Sequence, residues 1–507
     1  MRRKLTGMGR NAECGMMSDE LKTLSLIHHS SLRIPHCFTL LGVLFLLAIA
    51  PVAILAAGPP AGPAGERPVQ GGRAVDFGEL EKVIEAEMKE TGTPGAAVAV
   101  ISDGRVVFAK GFGVASIEAG GAVTPDTLFR LGSTTKMFTG AALVALSDKN
   151  RIKLDEPVGK YARGLPPKLA QVTTHQLISN NAGVGDFAAP PQSHDDAALG
   201  AMIRSWKDDV MFGEPGKVYS YSSPGFWLAG YVLEEAGGKP YADMMDELLF
   251  QPVGMRRTTL RPLVAMTYPL AVGHAGGADG KVAVVRPAYD NVAQWPAGSI
   301  YSSANDLSRW AIALMAEGRL DGAQVLSTSL LKRLSGGHVA MPGAPEVHYG
   351  YGLLNFEDRG VRMVMHGGFS RGYGSMLQMS PEHRFAVVVV TNKSGITLSK
   401  TTEKARELLL PLKPAEAEKK KEKLPLAAAD LANFTGKYVN GPQTWEIVAK
   451  GGKLFFRDAE AEYELSKTGA QVLSFGDKLE NDVALVPGAD GKTEYIFTGL
   501  YSARRSN

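Results

Sequence analysis

The sequence predicts a mixed α/β chain: an antiparallel sheet flanked by helices and interrupted by a large helical insertion, followed by a small antiparallel β-domain. Three observations predict it. Apolar strand patterns stand at both ends of residues 77–412. The stretch between them, about 135–330, reads mostly as helices joined by Gly/Pro loops. Residues 426–507 run as short alternating segments with turn signals between them.

Taken in order, Leu80, Val83, Ile84 and Met88 recur at helical spacing and Pro94-Gly95 ends that helix. Ala96–Ile101 and Val106–Phe112 read as strands joined at Asp103-Gly104, a hairpin signal. Strands return at Ser375–Met379 and Phe385–Thr391 around the turn Pro381–Arg384, and Glu403–Leu410 looks helical. Residues 413–425 are charged, with Lys419-Lys420-Lys421-Glu422-Lys423 at their centre, and read as a solvated linker. Beyond it seven strand patterns are expected: Gly436–Val439, Trp445–Ala449, Leu454–Arg457, Tyr463–Leu465, Val472–Phe475, Val483–Val486 and Tyr495–Thr498. Gly451-Gly452 and Asp490-Gly491 supply hairpin turns. This β-domain carries no catalytic constellation, and packing or substrate gating is expected of it.

Composition narrows the function classes. With 507 residues and 45% hydrophobic content the chain supports more than one core. Its net charge of +3 is carried by residues 1–57, where six basic residues face three acidic ones, so the remainder is neutral. Nucleic acid is therefore not an expected partner. Both cysteines, Cys14 and Cys37, lie in that same segment, which leaves the body without a thiol for a disulfide, a zinc cage or a nucleophile. From Cys37 to Ala57 there are 21 residues without a charge, preceded by basic residues and followed by small ones. Residues 1–57 thus read as a cleaved export signal or an uncleaved membrane anchor, with 58–76 as a flexible tether. Either reading places the body outside the cytoplasm, with membrane attachment through residues 37–57 in the second.

The chemistry-bearing residues begin at Gly132-Ser133-Thr134-Thr135-Lys136, where an apolar helical pattern opens. Positions three apart share a helix face, which makes Ser133 and Lys136 neighbours near a helix N-terminus. A serine hydroxyl needs an adjacent base, and a desolvated lysine becomes one. Tyr219-Ser220-Tyr221-Ser222-Ser223 precedes a second apolar helix and offers a tyrosine as proton relay. His366-Gly367-Gly368-Phe369 leads into a strand pair, and its glycines permit the close backbone approach that an oxyanion hole requires.

These motifs, in this order, resemble the serine β-lactamases of class C and their relatives: penicillin-binding proteins, D-Ala-D-Ala carboxypeptidases, D-aminopeptidases and family VIII esterases. Lys153–Val158 and Ala297–Leu307 support the resemblance, which covers about 77–410. It implies a β-lactamase-like fold and an acyl-serine mechanism without metal or cofactor, acting on a small molecule or peptide. Ser133 would be the nucleophile, Lys136 its base and Tyr221 the relay. His366 would take the Lys/His position of the third motif, with the N–H groups of Ser133 and Phe369 as oxyanion donors beside Gly367 and Gly368.

Two departures bear on substrate. Ser223 stands where the family pattern has asparagine; it can bond Lys136 but lacks the paired carbonyl and amino groups that read a substrate amide. Ser179–Val184 replaces the family's His-Thr-Ser-Gly-Leu loop. Gly368-Phe369-Ser370-Arg371-Gly372 fits the α/β-hydrolase elbow in letters only, since a strand hairpin follows instead of a helix. Ser193–Asp196 reads as an exposed loop before it reads as a metal site. Two functions stay open: an exported serine hydrolase of β-lactams, D-amino-acid peptides or small esters, and a non-catalytic ligand-binding module on the same fold.

Overall fold

The computed structural model describes residues 69–70, 73–189, 193–277, 280–416 and 420–506. The export segment of the sequence reading, residues 37–57, lies outside them. Among the described residues no helix is long and apolar enough to cross a membrane.

Helix α1 (Gly78–Thr91) turns at Gly92, in the left-handed conformation, and leads into strands β1 (Gly95–Ser102), β2 (Arg105–Ser116) and β3 (Gly120–Ala122). The β1–β2 turn has positive φ at both Asp103 and Gly104, the backbone that a two-residue hairpin demands. The helical insertion follows, with α2 (Thr135–Asp148), α3 (Ser223–Gly237) and α4 (Ala304–Met315) as its longest members. The chain then returns through β4 (Val339–Met341), β5 (Ala344–Tyr349), β6 (Leu354–Asp358), β7 (Val361–Ser370), β8 (Tyr373–Ser380) and β9 (Phe385–Thr391) to α5 (Ser399–Leu409). The nine strands form one antiparallel sheet in the order β4-β5-β6-β7-β8-β9-β1-β2-β3, so the two ends of the domain meet at β9 and β1.

Those two central strands are buried on both faces. Ala97, Ala99, Ile101, Val388 and Val390 pack toward the helical insertion, while Ala96, Val98, Val100, Val387 and Val389 pack toward Leu80, Ile84 and Met88 of α1 and Ala405 of α5. A sheet covered on both sides needs continuous apolar strands, which is the pattern that Val387-Val388-Val389-Val390 shows. Strands β4, β5 and β6 were not expected. They are short strands of mixed burial near one edge of the sheet; only β6, where Leu354 and Phe356 alternate with Asn355 and Glu357, carries a brief two-residue period.

Helix α2 is buried from Thr135 through Val144, and is therefore apolar on most of its circumference, with Thr135, Lys136 and Thr139 as buried polar exceptions. The structure starts this helix at Thr135; Ser133 sits just before it in a 3₁₀ turn, Gly132–Thr134. That turn is bound to the sheet. Ser375 of β8 donates to the Leu131 carbonyl (2.6 Å) and lies 2.8 Å from Thr134 Oγ1.

The C-terminal domain is a closed eight-stranded barrel: β10 (Gly436–Asn440), β11 (Gln443–Lys450), β12 (Lys453–Arg457), β13 (Glu462–Gly469), β14 (Val472–Phe475), β15 (Asn481–Pro487), β16 (Thr493–Phe497) and β17 (Ser502–Arg505). The strand missing from the sequence reading is β17. Its pairing with β10 through Val439↔Arg504 closes the barrel and removes both edges. Charged Arg504 and Arg505 hide that strand from an alternation test. The linker is not wholly a solvated spacer: Lys421 pairs with Asp482, and Leu424 N–H donates to the Lys467 carbonyl at 2.8 Å.

The barrel is seated on the nine-stranded sheet domain and its helical insertion. Ser502 Oγ donates to the Tyr219 carbonyl (2.6 Å), Tyr221 N–H donates to the Leu500 carbonyl (3.1 Å), and Tyr219 meets Phe497 edge-on at 5.8 Å.

The contact between the sheet and the 131–134 segment is tight enough to test. A Cβ on Gly368 would lie 1.8 Å from the Leu131 carbonyl oxygen. Gly368→Ala is expected to lower stability by ~3 kcal/mol in chemical denaturation, because backbone on both sides leaves no room to relax. Gly276→Ala, whose Cβ meets nothing within 4 Å, is expected to stay within about 0.5 kcal/mol of the parent.

Candidate active site

Ser133, Lys136, Tyr221, Ser223 and His366 come together at the junction of α2, the start of α3 and β7. The Lys136 amine organises them. It donates to Ser133 Oγ (3.2 Å), Ser223 Oγ (3.3 Å) and the Ala297 carbonyl (3.0 Å), and lies 4.6 Å from the centre of the Tyr221 ring and 5.5 Å from that of Phe226. The residue is 0% exposed. Desolvation disfavours its ammonium form and brings its pKa down to about 7, against the pull of the Asp186 carboxylate, which raises it. Near neutral pH a substantial fraction of this amine is therefore unprotonated and able to accept a proton.

Ser133 is part-exposed while its neighbours from Leu131 to Lys136 are buried. It also reaches the phenol oxygen of Tyr221. Burial raises the pKa of that phenol above its ordinary value, the Ser133 contact lowers it, and the Asp186 charge raises it again. The phenol stays protonated across the physiological range.

His366 is 5% exposed, and its ring is held at both nitrogens. Nδ1 lies 2.6 Å from the Gly367 carbonyl, which can only accept, so Nδ1 carries the hydrogen. Nε2 then accepts from the Tyr349 hydroxyl at 3.0 Å. Burial, together with the nearby Lys136, brings the His366 pKa down to about 3. The third-motif position therefore presents no charge at neutral pH.

Gly132 explains how β7 meets Ser133. It has φ +53°, and a Cβ there would lie 2.7 Å from Phe369 N and 2.5 Å from Phe369 O. Only glycine lets the two main chains touch, and the touch brings the Phe369 backbone alongside the residue next to Ser133. The half of β7 from His366 to Ser370 pairs with β8 alone, because pairing with β6 stops at Met365. Its other edge is open to the 131–134 segment, where Thr134 Oγ1 donates to the His366 carbonyl at 3.3 Å. The Phe369 ring is 38% exposed and stands as an apolar surface beside the site.

Four participants were absent from the sequence reading in these roles. Ala297 contributes only a carbonyl, and Tyr349 lies on β5, one of the unforeseen strands. Asp186 accepts from Ser223 N–H at 3.0 Å and from the Tyr501 hydroxyl, and Tyr501 belongs to the barrel. A signal for Asp186 does exist: it is the sole Asp, Glu, Lys or Arg between Lys168 and Asp195. Tyr501 has no local signal. The other candidates are engaged elsewhere: His194 lies 3.2 Å from Asp290, Asp196 is paired with Arg261 at 3.1 Å, and Ser370 ends a strand.

The Beta-lactamase family profile matches residues 80–410. The chain is 30% identical over 349 residues to a D-aminopeptidase of Gluconobacter oxydans (strain 621H), covering 66% of this chain and 63% of that one. It is 29% identical over 347 residues to penicillin-binding protein 4 of Amycolatopsis lactamdurans, covering 66% of this chain and 90% of that one. The crystal structure of SurE superposes with a TM-score of 0.69 at 23% identity, covering 85% of this chain and 99% of that one.

The His366 environment makes a stability prediction. Its folded pKa of about 3 lies below the ordinary 6.5, so between those values the unfolded chain binds the extra proton. Stability is full above about 6.5 and is lost as pH falls toward 3. Melting temperatures measured from pH 7 to pH 4 should therefore decline, and His366→Gln, which has no proton to take up, should flatten the decline.

Proposed function

The chain belongs to the beta-lactamase family of serine hydrolases, and from that premise we propose that it is an exported enzyme that hydrolyses its substrate through an acyl intermediate on Ser133. One observation carries the reading: a buried lysine amine, brought down to about 7, lies 3.2 Å from a part-exposed serine hydroxyl. In the first step the Ser133 proton passes to Lys136 while Oγ bonds to the substrate carbonyl carbon. The N–H groups of Ser133 and Phe369 stabilise the oxyanion. Tyr221 relays a proton to the departing nitrogen or oxygen, the acyl bond to the leaving group breaks, and water then releases the acid and restores Ser133.

The substrate classes are D-amino-acid peptides, β-lactams and small esters. Two features favour substrates that carry neither a carboxylate at the third-motif position nor an amide side chain near Lys136. His366 is neutral there, and Ser223 offers one hydroxyl where an amide would offer both a donor and an acceptor. The likeness to a D-aminopeptidase supports peptides with a D-residue, and the likeness to a penicillin-binding protein keeps β-lactams beside them. Export rests on the uncharged run at residues 37–57.

Three results are expected. Ser133→Ala should abolish hydrolysis of D-alanyl p-nitroanilide and of p-nitrophenyl acetate while the melting temperature stays close to the parent's. Turnover by that variant at the parent rate would sink the assignment. In the parent, kcat/KM should rise with pH through about 7 and level off above it, as Lys136 loses its proton. Ser223→Asn should raise penicillin turnover relative to ester turnover, measured side by side on one preparation.

A further inference from the structure

Among the described residues Asp186 is the one acidic side chain that acts on the Lys136 amine, and the family's three motifs give it no part. It is fixed by three contacts from separate elements. Its carboxylate accepts from Ser223 N–H, at the first residue of α3, at 3.0 Å. Its carboxylate also accepts from the Tyr501 hydroxyl. Its own N–H donates to Oδ1 of Asn440, a fully buried residue of β10, at 3.2 Å. Two of these three contacts come from the barrel.

The same barrel residues hold the neighbouring loop. Asn440 Nδ2 donates to Ser220 Oγ (3.2 Å) and to the Ser502 carbonyl (2.7 Å), Ser502 N–H donates to Ser220 Oγ (3.1 Å), and Tyr221 N–H donates to the Leu500 carbonyl (3.1 Å). Loops 180–186 and 219–223 are thus locked to each other, through Ser222 Oγ and the Gly185 carbonyl at 3.1 Å, and both are locked to the barrel. The titratable groups facing Asp186 come from each side: Lys136 from α2, Tyr221 from the loop before α3, and Tyr501 from the barrel. Behind them, Tyr219 faces Tyr501, and His366 faces Lys136 from β7.

We propose that Asp186 and Tyr501 are a positioning pair: the carboxylate holds Ser223 and the Lys136 amine in register with Ser133, the barrel tyrosine holds the carboxylate, and the β-barrel thereby completes the hydrolase site. The proposal rests on the acyl-serine reading above. A carboxylate beside a buried amine favours the protonated amine, so it makes Lys136 a stronger base than burial alone would leave. Burial raises the pKa of this carboxyl, and the Ser223 N–H, the Lys136 charge and the Tyr501 hydroxyl that donates to it each favour its ionised form against that rise.

The test uses the full chain, with p-nitrophenyl acetate as the probe from pH 5 to pH 10. Asp186→Asn keeps an oxygen for Ser223 N–H, removes the charge and puts an amino group in place of the second acceptor. The acid limb of kcat/KM should then move to lower pH by roughly one unit, because the amine loses the charge that favoured its proton. The plateau kcat should fall about tenfold, because a weaker base removes the serine proton less readily. Tyr501→Phe keeps the ring and removes the donor; it should lower plateau kcat several-fold with KM little changed, and should shift the limb in the same direction by less. An unmoved acid limb in both variants, whatever happens to kcat, would overturn the proposal, since a merely structural role lowers activity without retitrating Lys136. If Asp186→Asn does not fold, Tyr501→Phe decides alone. Parent hydrolysis that survives Ser133→Ala, or parent enzyme inert toward both the ester and D-alanyl p-nitroanilide, would instead sink the acyl-serine reading.

Discussion

A lysine side chain with no exposed surface, placed in contact with two serines, a carbonyl and two aromatic rings, is the constraint from which the rest of the site follows. Removing an ammonium from water costs more than hydrogen bonds alone return, and the group responds by becoming neutral more readily. The surroundings are arranged to set how far that goes. Phe226 and the Tyr221 ring dry the amine, the Ala297 carbonyl and Ser223 hydroxyl accept its hydrogens, and Asp186 stands near enough to oppose complete neutralisation. A lysine in water would hold its proton at neutral pH and could accept none from a neighbouring hydroxyl.

Holding that arrangement demands close contact between two main chains that begin far apart in sequence. Segment 131–134 and strand β7 approach until a methyl group on Gly132 or Gly368 would overlap backbone atoms of the other. Ser375 completes the clamp by bonding both Leu131 and Thr134. A junction of this kind has no soft side chain to yield, and so the position of Ser133 relative to the Phe369 backbone is as rigid as the central sheet that carries it. Uncharged His366 is part of the same economy of charge. With Tyr349 and the Gly367 carbonyl occupying both ring nitrogens, it fills its place without adding a second cation beside Lys136.

The barrel enters the site from the other side. It supplies no nucleophile, but its Asn440 and its 498–502 turn grip the two loops that carry Asp186 and Tyr221. A domain expected to serve in packing or gating thus touches, through Tyr501 and Asp186, the electrostatics of the Lys136 amine. Its closure by β17, the strand hidden by Arg504 and Arg505, is what brings Tyr501 into position.

By itself the sequence determined the elements whose physical signal is local or periodic. The apolar runs of β1 and β9, the hairpin glycines, the core helix after Ser133, seven barrel strands and the Ser133–Lys136 pairing all follow from spacing, turn chemistry and one helical turn. The short strands β4 to β6 near one edge of the sheet and the polar strand β17 carry little such signal, because short, partly exposed strands tolerate almost any composition. What only the tertiary structure decided is every contact made across long sequence separations: Ala297 and Ser223 on the Lys136 amine, Tyr349 on His366, and above all Asp186 with Tyr501, 315 positions later by their numbers. A charge or hydroxyl shows in the sequence only as a residue type. Its effect on a neighbour depends on burial and distance, and those exist only once the sheet, the insertion and the barrel have closed around it.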